Sequence, residues 1–135
     1  MDTLTPEERS AQMARVKCKD TKPEMTVRRM VHALGGRYRL HDASLPGKPD
    51  LVFKSQRKVI FVHGCFWHRH KGCPRTRLPK SRVAFWAAKL EENRKRDIRT
   101  KRMLTRLGWR YLIVWECETE HPDTLRERLI EFLRS

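Results

Sequence analysis

Apolar residues recur along this chain with the spacing of helices in some segments and of strands in others. Helical spacing predicts helices over residues 21–34 and 81–107, and Gly35-Gly36 would end the first of them. Residues 124–127 have the pattern of a capping box and predict the start of a C-terminal amphipathic helix. The same pattern at residues 5–8 predicts another helix near the N-terminus.

Two short apolar runs, residues 50–53 and 58–62, are separated by a polar turn and are rich in strand-forming residues. This pattern is typical of a β-hairpin. Counting back from the turn places Asp50 opposite Val62 or His63. Asp50 and His63 are therefore expected to share the open end of the hairpin, although they are distant in sequence.

Two further strands are predicted outside the hairpin. Residues 37–40 alternate polar and apolar positions, and residues 109–115 form the clearest strand pattern in the chain. The apolar run 112–114 indicates burial on both faces, so this strand is expected to be interior, with Trp109 and Trp115 as structural residues. Helices before, between and after strands predict an α/β fold, with helices packed on a small mixed sheet. The 135 residues suffice for one domain with a core.

The charge balance restricts the partners of the protein. Lys and Arg number 31 against 16 acidic residues, which gives a formal charge of +15 at pH 7. Such a surplus implies a polyanionic partner, either a nucleic acid or an anionic membrane surface. No apolar run approaches the ~20 residues of a membrane span, and the polar N-terminus is unlike a signal peptide. We therefore expect a cytosolic nucleic-acid-binding protein whose thiols stay reduced.

A cluster of cysteine and histidine predicts a metal site. Cys65, His70 and Cys73 are close in sequence, and Cys117 follows the last predicted strand, from which it can reach back. Three cysteines and one histidine form a closed tetrahedral zinc site, which is structural. The alternative is that the cysteines are free and buried, but a loop this polar has no apolar core of its own. Cys18 lies apart in a Lys-rich stretch and is not included in the set.

Asp50 is the first candidate for chemistry. A carboxylate at the head of a hairpin, with His63 opposite, suits Mg²⁺, which prefers oxygen ligands and keeps several waters. Once His70 is assigned to zinc, His63 and His68 remain. A neutral imidazole near a metal-bound water can take its proton. This combination predicts hydrolysis of a phosphate ester.

Two other acidic residues are weaker candidates. Asp97 continues a helical stripe that begins at Trp86, and polar residues in such a position often line a cleft. Taken alone, a helix salt bridge to Lys101 or Arg94 is the simpler explanation for Asp97. Glu24 alone is explained as part of the capping box at residues 21–24.

Adjacent aromatic residues flank one proposed zinc ligand. Phe66 and Trp67 cannot both point into one core from a regular element, and they lie in a basic loop. Such residues can enter a duplex and unstack a base step. Trp86, near the start of the long helix, either joins this wedge or belongs to the core; its position alone leaves both open.

Three segments, residues 43–50, 61–68 and 115–117, resemble the very short patch repair (Vsr) DNA mismatch endonucleases, and the similarity covers nearly the whole chain. The resemblance implies a restriction-endonuclease-like fold, with residues 1–135 as a single nuclease domain and residues 1–20 as a helical arm that contacts DNA. It implies a strand-specific, Mg²⁺-dependent endonuclease that nicks 5′ to the T of a T:G mismatch. Such mismatches arise when 5-methylcytosine deaminates.

The resemblance also implies roles for individual residues. Asp50 would bind Mg²⁺ together with the main-chain carbonyl of Val62, where the family pattern has threonine. His68 would be the general base, supported by Glu24, and His63 would interact with the phosphate or the metal-bound water. The remaining assignments are Asp97 as an accessory acid, Phe66, Trp67 and Trp86 as the DNA wedge, and Cys65, His70, Cys73 and Cys117 as structural zinc ligands.

The partners that the resemblance implies are double-stranded DNA with a T:G mismatch and, transiently, other mismatch-repair proteins. It implies a monomer in the bacterial cytoplasm, associated with the nucleoid. The alternative from another class is a zinc-containing DNA-binding protein without catalysis, which would have no use for Asp50. A basic RNA-binding protein is a second alternative and would show no preference for mismatched DNA.

Overall fold

The computed structural model describes residues 21–135. The helix predicted near residues 5–8, Cys18 and the proposed arm of residues 1–20 lie outside the described residues. The described helices are α1 Lys22–Ala33, α2 Val83–Arg106 and α3 Pro122–Arg134; the strands are β1 Arg39–Leu40, β2 Leu51–Phe53, β3 Lys58–His63 and β4 Arg110–Trp115; and short 3₁₀ helices cover Lys54–Gln56, Pro74–Thr76 and Glu116–Glu120.

The four strands form one mixed sheet in the order β1-β2-β3-β4. β1, β2 and β3 pair antiparallel, and β3 pairs parallel with β4. The predicted α/β class and mixed sheet are confirmed. The prediction that residues 109–115 form an interior strand is wrong, because β4 is the last strand of the described sheet. Leu112 and Ile113 nevertheless pack against different core clusters, so both faces of this edge strand are covered.

The β2–β3 hairpin forms as predicted, with a different register at its open end. Leu51 pairs with Ile60, so Asp50 lies opposite Phe61 instead of Val62 or His63. The turn contains a 3₁₀ segment and a left-handed Arg57 with φ 54°. It therefore takes up one residue more than predicted, and the pairing of the two strands shifts by one residue. Asp50 still reaches the next residue along β3, because its Oδ2 accepts the Val62 N–H at 2.6 Å.

The core has one cluster on each face of the sheet, as the alternation of side chains along β2 and β3 requires. On one face α1 and α3 contribute Val27, Val31, Leu125 and Leu129, which pack with Leu51, Phe53, Ile60 and Val114. On the other face Leu104 of α2 packs with Val52, Val59 and Phe61. The sheet therefore lies between helices. The edge formed by the carboxyl ends of β3 and β4 is left for the candidate site.

Helix boundaries follow the predicted signals at one end of the chain and not at the other. The Thr21 hydroxyl accepts the N–H of Glu24 at 3.3 Å, and α1 ends before Gly35, whose φ is 83°. The predicted start of the last helix at residues 124–127 is wrong. α3 begins at Pro122, because proline at the first helical position already has the required φ and needs no N–H partner.

A buried lysine connects the hairpin to the end of α3. Lys58 is 3% exposed, and its Nζ donates to the carbonyls of Phe132 at 2.8 Å, Leu133 at 3.3 Å and Ser135 at 2.6 Å. The last carbonyls of a helix have no partner within the helix, and a cation stabilises them. Lys58 therefore stabilises both the helix end and its position on the sheet.

Replacement of Lys58 with methionine is expected to lower the free energy of unfolding by about 1.5–3 kcal/mol, because the carbonyls at the end of α3 lose a charged donor. Urea denaturation monitored by circular dichroism would measure the change. Lys54→Met is the matched control, since Lys54 is exposed in the same hairpin. Equal stability of the two variants would contradict the proposed contribution of Lys58.

Candidate active site and metal centre

The parallel pairing of β3 with β4 brings the candidate residues to one edge of the sheet. His63 ends β3 and lies opposite Trp115, which ends β4. Carboxyl ends of parallel strands meet at the same edge. The loop that follows β3 and the 3₁₀ segment that follows β4 are therefore neighbours, although they are distant in sequence.

The four predicted zinc ligands converge at this edge. One ligand atom from each of Cys65, His70, Cys73 and Cys117 lies within 4.8 Å of the others. The Nδ1 of His70 lies 3.5 Å from the Sγ of Cys65 and 3.5 Å from the Sγ of Cys117. Tetrahedral zinc with ordinary Zn–S and Zn–N bonds separates sulfur and nitrogen by about 3.6 Å. The geometry of the four side chains therefore fits a zinc ion.

Neighbouring residues hold these ligands in place. The Oε1 of Glu116 accepts the N–H of Cys65 at 3.1 Å, and Arg75 forms ion pairs with Glu116 and Glu120. The ring of His70 stacks on Trp115 at 4.2 Å. Burial raises the pKa of the Cys65 thiol to about 12. A thiolate at this position therefore needs a metal cation in place of its proton.

A second cluster consists of His63, His68 and Asp97. The Nδ1 of His68 lies 2.7 Å from the Oδ2 of Asp97. The helix salt bridge considered for Asp97 is not what the structure shows; Arg94 instead pairs with Glu91. A carboxylate at Nδ1 fixes the tautomer in which Nε2 can accept a proton. This arrangement suits a general base.

His63 packs against the ring of His68 in a parallel stack, with centroids 3.7 Å apart. Burial, with a contribution from His68, lowers the pKa of His63 to about 3. His63 is therefore neutral near pH 7, and only one of the two stacked rings can carry a charge. Within residues 21–135, no hydrogen-bond partner is present for the Nδ1 of His63.

A third cluster contains Asp50. Ligand atoms of Asp50, Glu24 and His41 lie within 4.8 Å of one another. Glu24 is buried, forms an ion pair with Arg28 and lies 2.9 Å from the Nε2 of His41. Burial and the charge of Glu24 raise the pKa of Asp50 to about 7, against the lowering effect of the Val62 N–H. Two carboxylates in this setting favour a cation or a proton.

Apart from the zinc ligands, the predicted catalytic residues thus fall into two clusters. The acid in contact with His68 is Asp97, whereas Glu24, expected to support His68, contacts Arg28 and His41. His41 was missed by the sequence analysis, because it follows a two-residue strand and belongs to no periodic pattern. Pairing the predicted strand 37–40 with the start of the hairpin would have placed it beside Asp50.

The three aromatic residues of the predicted wedge form one cluster. Phe66 and Trp67 pack edge to face at 5.2 Å, and Trp86 lies 5.9 Å from Phe66 and 6.0 Å from Trp67. Trp86 is only 5% exposed, while Phe66 and Trp67 are half-buried. Trp86 is therefore core in this structure and supports the two more exposed rings.

A cavity of about 320 Å³ opens beside the base cluster, which consists of His63, His68 and Asp97. It is bounded by the candidate base, by one wedge residue and by two cations of α2. The presence of Arg96 and Lys101 in its wall suits a phosphate-bearing ligand. Its wall includes His63, Trp67, His68, Arg96, Asp97 and Lys101.

Comparison with known proteins identifies the family. The model of the family described as DNA mismatch endonuclease Vsr matches residues 1–75. The Type II nicking enzyme V.XorIIP of Xanthomonas oryzae pv. oryzae is 49% identical over 132 residues, 98% of this chain and 96% of that protein. The Type II nicking enzyme V.NmeAIP of Neisseria meningitidis is 40% identical over 98% of this chain and 94% of that protein. The DNA mismatch endonuclease Vsr of Escherichia coli K12 is 42% identical over 93% of this chain and 83% of that protein.

These matches and the site define a hydrolase of phosphodiester bonds, a DNA endonuclease. The chain belongs to the Vsr DNA mismatch endonuclease family, as its sequence motifs indicated. The two non-catalytic alternatives are therefore not supported. Among the described residues, no helix has the length and apolar character needed to cross a membrane.

Proposed function

We propose that this endonuclease nicks duplex DNA 5′ to the T of a T:G mismatch, with Mg²⁺ as the catalytic cation. The observation that carries the catalytic part is the His68–Asp97 pair, which lies at the same sheet edge as Asp50. The mismatch preference is supported by membership of the Vsr DNA mismatch endonuclease family and by similarity to the DNA mismatch endonuclease of Escherichia coli. The restriction-type fold and the structural role of zinc belong to the same proposal.

In the proposed reaction His68 removes a proton from the attacking water. The Nδ1 of His68 is held by Asp97, so Nε2 is the atom that accepts the proton and Asp97 stabilises the resulting imidazolium. The neutral ring of His63 stacks on His68 and is placed to contact the phosphate or the water. Asp97 thereby acts as the accessory acid, through its contact with the base.

The cation would be held by the carboxylate of Asp50 and the main-chain carbonyl of Val62. The Val62 N–H already donates to Asp50, so the main chain of Val62 and the carboxylate lie together. When bound, Mg²⁺ would activate water and neutralise charge on the phosphate. Because Val62 would contribute a backbone atom, valine can replace the threonine of the family pattern. Glu24 adds negative charge beside Asp50.

DNA recognition is proposed to use charge first and aromatic contacts second. Lys and Arg residues hold phosphates without reading sequence. Phe66 and Trp67 then enter the stack at the mismatch, where unstacking costs least, while Trp86 supports them from beneath. The zinc site at Cys65, His70, Cys73 and Cys117 keeps this loop and His68 in position.

The whole chain is proposed to act as one nuclease domain, with residues 1–20 as an arm that contacts DNA. It would act as a monomer in the bacterial cytoplasm, near the nucleoid, with transient contacts to other mismatch-repair proteins. The family relationship supports these assignments.

The test is incubation of the protein with end-labelled T:G and C:G duplexes, each with Mg²⁺ or with EDTA. We expect one nick, in the T strand of the mismatched duplex, only with Mg²⁺. Equal cleavage of both duplexes would contradict the mismatch preference. Cleavage in EDTA would contradict the need for a divalent cation, and no cleavage under any condition would favour a binding protein.

Replacement of Trp67 with alanine is expected to reduce nicking of a T:G duplex about 10-fold or more, because one aromatic stacking contact contributes about 1–3 kcal/mol. Single-turnover nicking measures the rate, and 2-aminopurine fluorescence beside the mismatch measures unstacking. Trp67→Phe keeps a stacking ring and should retain most of the fluorescence increase. An unchanged fluorescence signal in Trp67→Ala would contradict the wedge role.

A further inference from the structure

His41 lies in the cluster that contains the proposed cation ligand Asp50. Its imidazole, the carboxylate of Glu24 and the carboxylate of Asp50 come from three separate parts of the chain. One ligand atom of each lies within 4.8 Å of the other two. The cluster therefore combines one nitrogen donor with two oxygen donors, unlike a purely carboxylate site.

The distances in this cluster fit shared coordination of one ion. The Nε2 of His41 lies 2.9 Å from the Oε2 of Glu24. Two neighbouring ligands of an octahedral ion, each bonded at the distance typical of Mg²⁺, are separated by about 2.9 Å. An ion at this centre would replace the Arg28 guanidinium, which contacts the same Glu24 oxygen.

The backbone holds His41 in this position. The N–H of His41 donates to the main-chain oxygen of Asp50 at 3.2 Å, directly after the paired strands β1 and β2. His41 has φ 50°, in the left-handed region, where histidine occurs more often than most other non-glycine residues. The turn therefore fixes the imidazole next to the two carboxylates.

Arg28 supplies positive charge to the same cluster. Its guanidinium forms an ion pair with Glu24 and lies 3.5 Å from the Nε2 of His41. A divalent cation at the cluster would therefore compete with Arg28 for Glu24. Because of this competition, binding depends on which cation is present. An ion with a stronger preference for nitrogen gains more binding free energy from His41.

We propose that His41 is a ligand of the catalytic cation, together with Asp50 and Glu24, and that it makes the site prefer Mn²⁺ to Mg²⁺. The inference rests on the proposed function, in which Asp50 holds a divalent cation. Mg²⁺ favours oxygen and loses water reluctantly, whereas transition-metal ions bind imidazole more readily, and Mn²⁺ accepts both donor types. The mixed donor set therefore favours Mn²⁺.

The experiment uses the full-length, zinc-loaded protein without DNA. Electron paramagnetic resonance measures Mn²⁺ binding, and electron spin echo modulation detects a directly bound histidine nitrogen. We expect a ¹⁴N signal that changes on ¹⁵N-histidine labelling and disappears in His41→Gln. Mn²⁺ affinity should fall at least about 10-fold in that variant, while Mg²⁺ affinity, measured by competition, should change less.

Two variants serve as controls. His32→Gln replaces an exposed histidine of α1 and should leave both affinities and the nitrogen signal unchanged. His68→Gln removes the base of the neighbouring cluster and should keep the ¹⁴N signal. Absence of a nitrogen signal in the unmutated protein, its survival in His41→Gln, or its loss in His68→Gln would overturn the proposal.

The Asp50→Asn variant distinguishes failure of this inference from failure of the proposed function on which it rests. If Asp50→Asn abolishes Mn²⁺ binding but His41→Gln leaves the nitrogen signal intact, the cation site at Asp50 stands and ligation by His41 is refuted. If Asp50→Asn leaves Mn²⁺ binding unchanged, both are refuted. Where a variant fails to fold, the ¹⁵N-histidine spectrum of the unmutated protein still tests whether any histidine binds the ion, and a spectrum without a histidine signal refutes ligation by His41.

Discussion

Replacement of His68 with alanine is expected to reduce the rate of T:G nicking by about 10²–10⁴-fold, the range that a positioned general base contributes. His68 is the base candidate whose Nδ1 is held by a carboxylate, 2.7 Å from Asp97, and it borders a cavity with two cations. Single-turnover kinetics with saturating enzyme would measure the chemical step. DNA affinity should change little, because the charge that holds the phosphates is untouched.

Asp97→Asn tests whether the pair acts as a unit. The amide keeps the shape of the side chain but cannot stabilise the imidazolium, so we expect a smaller loss than in His68→Ala. The double variant should be no slower than His68→Ala alone, because residues that act together are not additive. His32→Ala is the control, since His32 is exposed on α1 and lies outside the three clusters of possible ligands. Additive losses in the double variant would contradict the joint action of His68 and Asp97.

Removal of zinc is expected to abolish nicking, and added Mg²⁺ should not restore it. Three of the four predicted ligands lie in the loop that carries Phe66, Trp67 and His68, and zinc would connect this loop to Cys117, which follows β4. Binding of structural zinc is worth about 10–16 kcal/mol in small zinc-finger peptides. Loss of one ligand in Cys117→Ser should therefore lower the melting temperature markedly as well as the activity.

Elemental analysis should find one zinc per chain in the unmutated protein and much less in Cys117→Ser. Cys18→Ser is the matched control, because Cys18 is not among the four predicted ligands, and it should retain zinc and activity. A protein purified with no zinc but full activity would contradict the structural role. Full activity of Cys117→Ser would contradict its place among the ligands.

The sequence predicts those parts of the site that depend on local pattern. Cys65, His70 and Cys73 are close in sequence, and the strand pattern before Cys117 was strong enough to predict that it reaches back. The hairpin was also predictable, because two strands and a polar turn are local signals. Its register at Asp50 was not, because the left-handed Arg57 changes the count by an amount that no residue pattern reveals.

Contacts between distant elements were beyond the residue pattern. His68 could have been supported by either Glu24 or Asp97, and only the packing of α2 beside the sheet edge brings Asp97 to it. His41 belongs to no motif and becomes significant only through the pairing of β1 with β2. Likewise, apolar residues on both faces of β4 indicated an interior strand, whereas helices and loops cover its faces and leave it at the edge.

The parallel β3–β4 pair has a consequence for how the enzyme matures. Lys58 pairs with Arg110, so closing this ladder joins positions 52 residues apart, 110 − 58, and α2 must form the crossover between them. Contacts of such long sequence separation impose an entropic penalty before they give any stabilisation. A nascent chain in which β4 has not yet been synthesised can contain every histidine of the base cluster and still lack catalytic activity. Catalytic competence should therefore arise late, as one of the last events of folding.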